Sequence, residues 1–106
     1  MFKYSKISEL KPLQKNVFIA SAEIIQCSEL KEINIKGSPV KVVDAIVKDE
    51  TGQIRISAFG FVSQFLHMGA RIKIENCFCK LYNGEDKKDG ELQISTGYFG
   101  RIVKLS

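Results

Sequence analysis

The sequence has no tryptophan, only two prolines and one histidine, and three cysteines in 106 residues. Cys77 and Cys79 are separated by one residue, and Cys27 and His67 lie in other segments. A tetrahedral zinc site needs four ligands, commonly from paired cysteines two to four residues apart, and a disulfide framework needs an even number of cysteines. We therefore expect no metal and no cofactor, and reduced thiols are typical of intracellular proteins.

Long hydrophobic runs and catalytic motifs are missing as well. No apolar run reaches the roughly 18 residues that suggest a membrane span, and the amino terminus begins with charged residues where a signal peptide would be apolar. The sequence has no glycine-rich phosphate loop and no nucleophile motif near His67. We expect a protein that is not an enzyme and acts away from membranes, in the cytoplasm or nucleoid of a prokaryote or the nucleus of a eukaryote.

The composition is that of one folded domain spanning residues 1–106. Hydrophobic residues make up 44% and charged residues 26%, which excludes a disordered chain. The formal net charge is +4, with basic residues spread along the chain, so the charge only modestly favours a nucleic-acid ligand.

Short runs rich in Val, Ile and Phe, separated by turn residues, predict an all-β protein. The five predicted strands are Asn16–Ile25, Val40–Lys48, Gln53–Phe59, Ala70–Tyr82 and Glu91–Thr96. The polar stretch Cys27–Pro39 is predicted to be a loop or ragged strand ends. The turn Asp49–Gly52 is predicted to close a tight hairpin in which Gly52 supplies a positive φ. Phe61–Met68 has the spacing of a short helix. Five strands with one helix between the third and fourth predict a Greek-key barrel of the OB-fold type.

Alternation along the third strand predicts a candidate binding face. Three alternate apolar residues of this strand are predicted to face the core: Ile54, Ile56 and Ala58. Because alternate side chains of a strand point to opposite faces, Arg55, Ser57 and Phe59 share the other side. A large ring beside an arginine on a solvated face indicates a ligand that stacks on it, although Phe59 capping the barrel or packing under the helix is the alternative.

The apolar phase of the fourth strand changes part-way along it. The apolar positions are Ile72 and Ile74 in the first part and Cys77, Cys79 and Leu81 in the second. A β-bulge near Glu75–Asn76 would produce this change and place Phe78, Lys80 and Tyr82 on one face. Rings interleaved with a cation are typical of single-strand binders, in which rings stack on bases and cations neutralise phosphates. Without a bulge, Phe78 and Tyr82 would enter the core instead.

Further basic residues are candidates for the sides of the groove. Lys36 and Lys41 could line it from the first loop, and Lys87 and Lys88 from the charged turn at 83–90. Acidic neighbours surround the latter two, so a solvated loop tip is the alternative for them. Arg55 is the better candidate because it can contact phosphate or stack against a base.

The run Asp44–Gly52, continuing through Arg55–Gly60, resembles the central hairpin of archaeal single-stranded DNA-binding proteins and their eukaryotic relatives in the SOSS complex. Lys73–Phe78 resembles the fourth strand of the crenarchaeal members, and Leu10–Pro12 resembles the lead-in to their first strand. The similarity covers about residues 7–105, and the combination of hairpin and fourth strand is fairly specific to that family.

The resemblance implies that three rings stack on successive bases, and Phe59, Phe78 and Tyr82 occupy the matching positions. The first two are often tryptophan in the family, so the stacking area is smaller here. The implied function is sequence-tolerant binding of single-stranded DNA by a monomer or weak oligomer in replication, recombination or repair. The alternatives are single-stranded RNA binding and an OB-fold subunit of a complex like replication protein A or SOSS, whose face a protein partner covers.

Overall fold

The computed structural model describes residues 4–60, 66–82, 91–97 and 100–105. These residues form seven strands: β1 Val17–Cys27, β2 Lys31–Ile35, β3 Ser38–Asp49, β4 Gly52–Phe59, β5 Arg71–Tyr82, β6 Glu91–Ser95 and β7 Arg101–Lys104. One 3₁₀ turn, Ile7–Glu9, precedes β1. No helix within these ranges has the length and apolar character needed to cross a membrane.

Five of the strands close into a barrel in the order β1-β3-β4-β6-β5, and β5 pairs back with β1. Every pairing in this ring is antiparallel except that of β4 with β6, which is parallel. The strand β2 extends β3 as a two-stranded arm, and β7 pairs with the first half of β5. The ring is the predicted five-stranded Greek-key barrel, with two short strands added to it.

The barrel is filled by alternate aliphatic side chains from all five strands. The fully buried isoleucines are Ile19, Ile24, Ile56, Ile72, Ile74 and Ile94. Because strand side chains alternate, each strand contributes every second residue to this core and presents the others outward. The predicted core side of the third strand is confirmed, since Ile54, Ile56 and Ala58 are all buried.

The prediction of a loop or ragged ends over Cys27–Pro39 is only partly right, because most of this stretch is a β-hairpin. Lys31 to Ile35 pair with Val42 to Ser38, and only Lys36 and Gly37 remain as the turn. Both turn residues have positive φ, +51° and +83°, which is the backbone of a type I′ turn that matches strand twist. The lysine at the first turn position hides this hairpin, because that position usually holds Asn, Asp or Gly.

The hairpin between β3 and β4 is confirmed, but its turn is stabilised differently from the prediction. Gly52 pairs with Asp49 and does not have a left-handed φ. Instead, the Asp49 carboxylate accepts hydrogen bonds from the backbone N–H groups of Thr51 at 2.7 Å, Gly52 at 3.2 Å and Ile7 at 2.8 Å. Burial alone would raise the pKa of Asp49, but hydrogen bonds from Thr51, Ile7 and Gly52 outweigh it and lower the pKa. The turn thereby fixes the amino-terminal segment to the barrel.

Two predicted elements fall mainly on residues that are outside the described ranges. The first is the predicted helix Phe61–Met68, of which only the last three residues are described. Of these, Leu66 and His67 have no regular secondary structure. Gly69, predicted to end that helix, has the left-handed φ of +81°. The charged turn at 83–90 is the other.

Candidate nucleic-acid interface

A β-bulge in β5 determines which of its side chains face the core. Ile74 pairs with Ile19 and Cys77 pairs with Val17, so three residue steps in β5 oppose two in β1. Asn76, within the bulge, has a φ of +53°. Asparagine tolerates this conformation better than most residues, which makes it a suitable residue for the extra position. The predicted bulge near Glu75–Asn76 is confirmed.

The bulge reverses the burial pattern of β5 as predicted for Cys77 and Cys79, but the prediction is wrong for Leu81, which is 49% exposed near the end of the strand. Cys77 and Cys79 are each 1% exposed and belong to the core. Phe78 and Lys80 alternate with them and are half-buried on the outer side of the barrel. The alternative that turned Phe78 inward and the two cysteines outward is wrong.

The two buried thiols provide a chemical test of the bulge. Burial raises the pKa of Cys77 to about 12 and that of Cys79 to about 11, against an ordinary value of 9.0. The unfolded chain therefore loses thiol protons at a lower pH than the folded chain, so stability falls as the pH rises from about 9 toward 11. We expect thiol reagents at pH 8 to leave both cysteines unmodified until urea unfolds the chain.

The control for this test is the double variant Cys77→Ala/Cys79→Ala. Its urea midpoint should decline less between pH 8 and pH 10.5 than that of the native chain, because the same other groups titrate in both proteins. Rapid labelling of Cys77 or Cys79 in the folded protein would show that β5 is not bulged as described.

The outer sides of β4, β6 and β5 form one continuous surface, which we call the outer platform. Two rows of paired residues cross these strands: Ser57, Ser95 and Phe78 in one row, and Arg55, Gln93 and Lys80 in the other. Phe59, at the end of β4, shares the side of Ser57 and completes the platform. The structure thus brings together Arg55, Ser57, Phe59, Phe78 and Lys80, as the sequence predicted.

The ring of Phe59 is covered by a cation. The Lys80 Nζ lies 5.9 Å from the ring centroid, and the backbone N–H of Phe59 donates to Thr96 Oγ1 at 3.0 Å. A cation over a phenyl ring at the protein surface contributes only about 0.5–1 kcal/mol. The backbone position of the ring is therefore fixed, whereas the ammonium group can leave the ring at small cost when a ligand arrives.

The ring of Phe78 rests against the backbone after β6. Gly97 has a φ of +56°, and a Cβ built on it would lie 2.9 Å from Phe78 Cε1. Thr96, its neighbour, donates its backbone N–H to the Ser57 carbonyl at 3.1 Å and accepts a hydrogen bond from Gly100 N–H at 2.7 Å. The segment after β6 thus supports both rings, since Thr96 also holds Phe59.

A carboxylate on β3 organises the polar edge of the outer platform. Asp44 accepts hydrogen bonds from Ser57 Oγ at 2.7 Å and from an Arg55 guanidinium nitrogen at 3.1 Å. Lys31 Nζ lies 3.9 Å from the same carboxylate. Ser57 is itself buried, so its hydroxyl orients Asp44 and is not offered to a ligand. Arg55 and Lys31 thus flank one carboxylate, which leaves this edge with a net positive charge.

Gln93 is the residue of the outer platform that sequence reasoning missed. It is 3% exposed, and no residue in the described ranges donates a hydrogen bond to its Oε1 atom. An unsatisfied buried acceptor costs about 1–3 kcal/mol. A glutamine on the outer side of a strand looks solvated from sequence, and only the position of β6 between β4 and β5 explains why it is buried.

The basic residues predicted from the first loop are not brought to the outer platform. Lys36 lies at the tip of the arm, and Lys41 faces the side opposite to its neighbour Val42. Val42 pairs with both Phe59 and Lys31, so Lys31 is the arm lysine that shares the side of Phe59. The alternation of side chains along β2 identifies Lys31 as a residue of this side. The prediction of a loop or ragged strand ends over this stretch does not use that alternation.

Three predicted site residues are not tested by the structure. Tyr82 ends β5, where its backbone pairs with Glu91, but its side chain is outside the described part of the chain. Lys87 and Lys88 also fall outside the described ranges.

Comparison with known proteins agrees with this architecture. No protein-family model matches the chain. The chain is 27% identical over 101 residues to the single-stranded DNA binding protein Ssb of Saccharolobus solfataricus, and the match covers 95% of this chain and 64% of the relative. The chain thus spans somewhat less than two thirds of that relative's length. The predicted resemblance to the archaeal proteins is confirmed.

Solved structures show the same barrel. The OB domain of a Thermoplasma acidophilum protein matches with a TM-score of 0.78 and 25% identity, covering 97% of this chain and 87% of that one. The second OB-fold domain of replication protein A from Methanococcus maripaludis matches with a TM-score of 0.70 and 27% identity, covering 88% of each chain. This chain has the OB fold. Its outer platform lies on β4, β6 and β5 and is bordered by β3. The strands β3 and β4 are the second and third strands of the OB barrel, and OB-fold proteins bind oligonucleotides on the face that these strands form.

Proposed function

We propose that this chain binds single-stranded DNA on the outer platform, with little dependence on base sequence and without catalysis. The observation that carries the proposal is the pair of half-buried rings, Phe59 and Phe78, with Lys80 and Arg55 between and beside them. Stacking of a base on an aromatic ring contributes about 1–3 kcal/mol and accepts any base, because every base has a π-face. The name of the archaeal relative, a single-stranded DNA binding protein, supports the same function.

The mechanism begins with the cation that covers Phe59. When a base stacks on this ring, the Lys80 ammonium leaves it and pairs with a phosphate of the same strand, exchanging a weak contact for a charge-assisted one. Arg55 and Lys31 add positive charge along the β3 edge, partly balanced by Asp44. The backbone of the nucleic acid therefore follows the cations, and the bases face the rings.

Gln93 lies in the row between Arg55 and Lys80. Like Ser57, it is buried, so it supports the outer platform and its Oε1 atom is not offered to a ligand. We propose that the protein protects exposed strands inside the cell during replication, recombination or repair.

The direct test is fluorescence anisotropy of a labelled ten-nucleotide oligo-dT at 50 and 200 mM salt, with duplex DNA and oligo-rU as competitors. Binding in the micromolar range or tighter is expected. If three cations each neutralise a phosphate, the slope of log affinity against log salt is about −2, so the fourfold change in salt lowers affinity roughly 15- to 20-fold.

The competitors separate the alternatives. Duplex DNA should compete weakly because its bases are already stacked and paired. Stronger competition by oligo-rU than by oligo-dT would transfer the proposal to RNA. No binding of either single strand at 50 mM salt by the folded chain would contradict the proposed function and direct attention to a protein partner for the outer platform.

A further inference from the structure

The segment that leads into β1 exposes an apolar side chain at conformational cost. Leu10 is buried, but Leu13 is 80% exposed. Leu13 has a φ of +64° and Asn16 a φ of +55°. A positive φ is uncommon for residues other than glycine, and for a bulky side chain it is an outlier that the surrounding structure must enforce. Burial does not explain this conformation, because the Leu13 side chain lies in solvent.

The conformation places the lead-in segment beside the outer platform. Cys79 donates its backbone N–H to the Gln14 carbonyl at 2.8 Å, so the segment runs along β5 beyond the point where Val17 pairs with Cys77. Leu13 and Phe78 consequently line the same groove, which has a volume of about 600 Å³.

The walls of this groove combine apolar surface with positive charge. Besides Leu13 and Phe78, it is lined by Lys15, Lys80 and the backbone of Gly97, and no acidic residue is among the groove-lining residues that the structure describes. Two lysines without a carboxylate favour an anionic occupant. Phe78 and Lys80 belong to both the groove and the outer platform, so the two surfaces are continuous.

The groove is the next position across the sheet after the two described rings. Phe59 lies on β4, the small side chain of Ser95 follows on β6, Phe78 lies on β5, and the lead-in segment is adjacent to β5 on its far side. A strand whose bases stack on Phe59 and then Phe78 therefore continues into the groove.

We propose that this groove is a further nucleotide site, in which a base packs against Leu13 and Lys15 pairs with the adjoining phosphate. The inference rests on the proposed function and extends it, because it assigns a contact for one more nucleotide of the same strand beyond those on the aromatic rings. The exposed Leu13 supplies apolar area without a π-face, so the site is weaker than an aromatic one and fills only after the rings are occupied.

The test is a length series of oligo-dT from two to ten nucleotides, titrated by NMR into the native chain and Leu13→Gly. Glycine adopts a positive φ without strain, so this variant should be as stable as the native chain or more stable. We expect equal affinity for the dinucleotide, whose two bases occupy the two rings, and about fivefold weaker affinity for the decanucleotide. Lys15→Gln should reduce the salt slope for the long oligonucleotide by about 0.7, the value for one phosphate contact to a single strand, and leave the slope for the short one unchanged.

Leu105→Gly is the matched control, because Leu105 is another exposed leucine, 45% exposed, next to β7. It should bind all lengths like the native chain. An equal loss at every length in Leu13→Gly, or no loss for the decanucleotide, would overturn the groove site while the proposed function stands. Failure of the native chain to bind any length would instead remove the proposed function itself.

Discussion

Replacing Phe78 by alanine should weaken the binding of oligo-dT about tenfold, which corresponds to roughly 1.4 kcal/mol and lies within the range for one stacked base. Phe78 has the larger expected effect of the two described rings because it contributes to both the outer platform and the groove beside Leu13. Anisotropy titrations at 50 mM salt measure the change. Phe78→Leu should lose nearly as much, since leucine fills space but offers no π-face, and this variant separates stacking from loss of packing.

The chain contains a closely matched control for this experiment. Tyr4 is 45% exposed, and Lys73 Nζ lies 6.0 Å from its ring centroid, so it has the same ring and cation arrangement as Phe59 with Lys80. Tyr4 packs edge-on against Phe18, beside the outer side of β1 and apart from the outer platform. Tyr4→Ala should bind like the native chain. If it lost as much affinity as Phe78→Ala, the ligand would not be confined to the outer platform.

Replacing Gly100 by alanine should destabilise the fold by about 3 kcal/mol, at the upper end of what overpacking costs. A Cβ at this position would lie 2.5 Å from the Thr96 carbonyl oxygen, 2.7 Å from Thr96 Cα and 2.8 Å from Cys77 Sγ. Two of these atoms are backbone and cannot rotate away. Only movement of Thr96 can remove these two contacts. Thr96 also accepts a hydrogen bond from the backbone N–H of Phe59, and the next residue, Gly97, packs against the Phe78 ring.

Urea denaturation of Gly100→Ala beside Gly52→Ala tests this effect. An added Cβ at Gly52 meets only a side-chain methyl group of Ile7 at 4.0 Å, and the residue does not have a left-handed φ. The free energy of unfolding of the control should stay within about 0.5 kcal/mol of the native value. A Gly100→Ala chain as stable as the control would show that the segment after β6 is not packed as described.

Alternation accounts for most of what the sequence predicts correctly. The core side of β4 and the change of phase in β5 follow from which residues are apolar, because a one-residue shift moves every side chain of a strand to the other face. The same change of phase predicts the β-bulge at Asn76. These two strands carry Phe59, Phe78 and Lys80, so the sequence alone locates the centre of the outer platform.

The unpredicted features depend on contacts between distant segments. Gln93 is buried only because β6 lies between β4 and β5, a pairing that no local pattern specifies. Lys31 joins the site through a hairpin whose turn begins with lysine and so has no sequence signature. Leu13 looks like part of a hydrophobic anchor, and its exposure follows from the path that the lead-in segment takes along β5.

The most direct test of the account is NMR chemical-shift mapping of the ¹⁵N-labelled chain with oligo-dT at low salt. We predict that the largest shifts fall on backbone amides of β4, β5 and β6 around Phe59, Phe78 and Gln93, extend to Leu13 with longer oligonucleotides, and are small around Tyr4. Shifts concentrated around Tyr4 and the outer side of β1, with the outer platform unchanged, would contradict it.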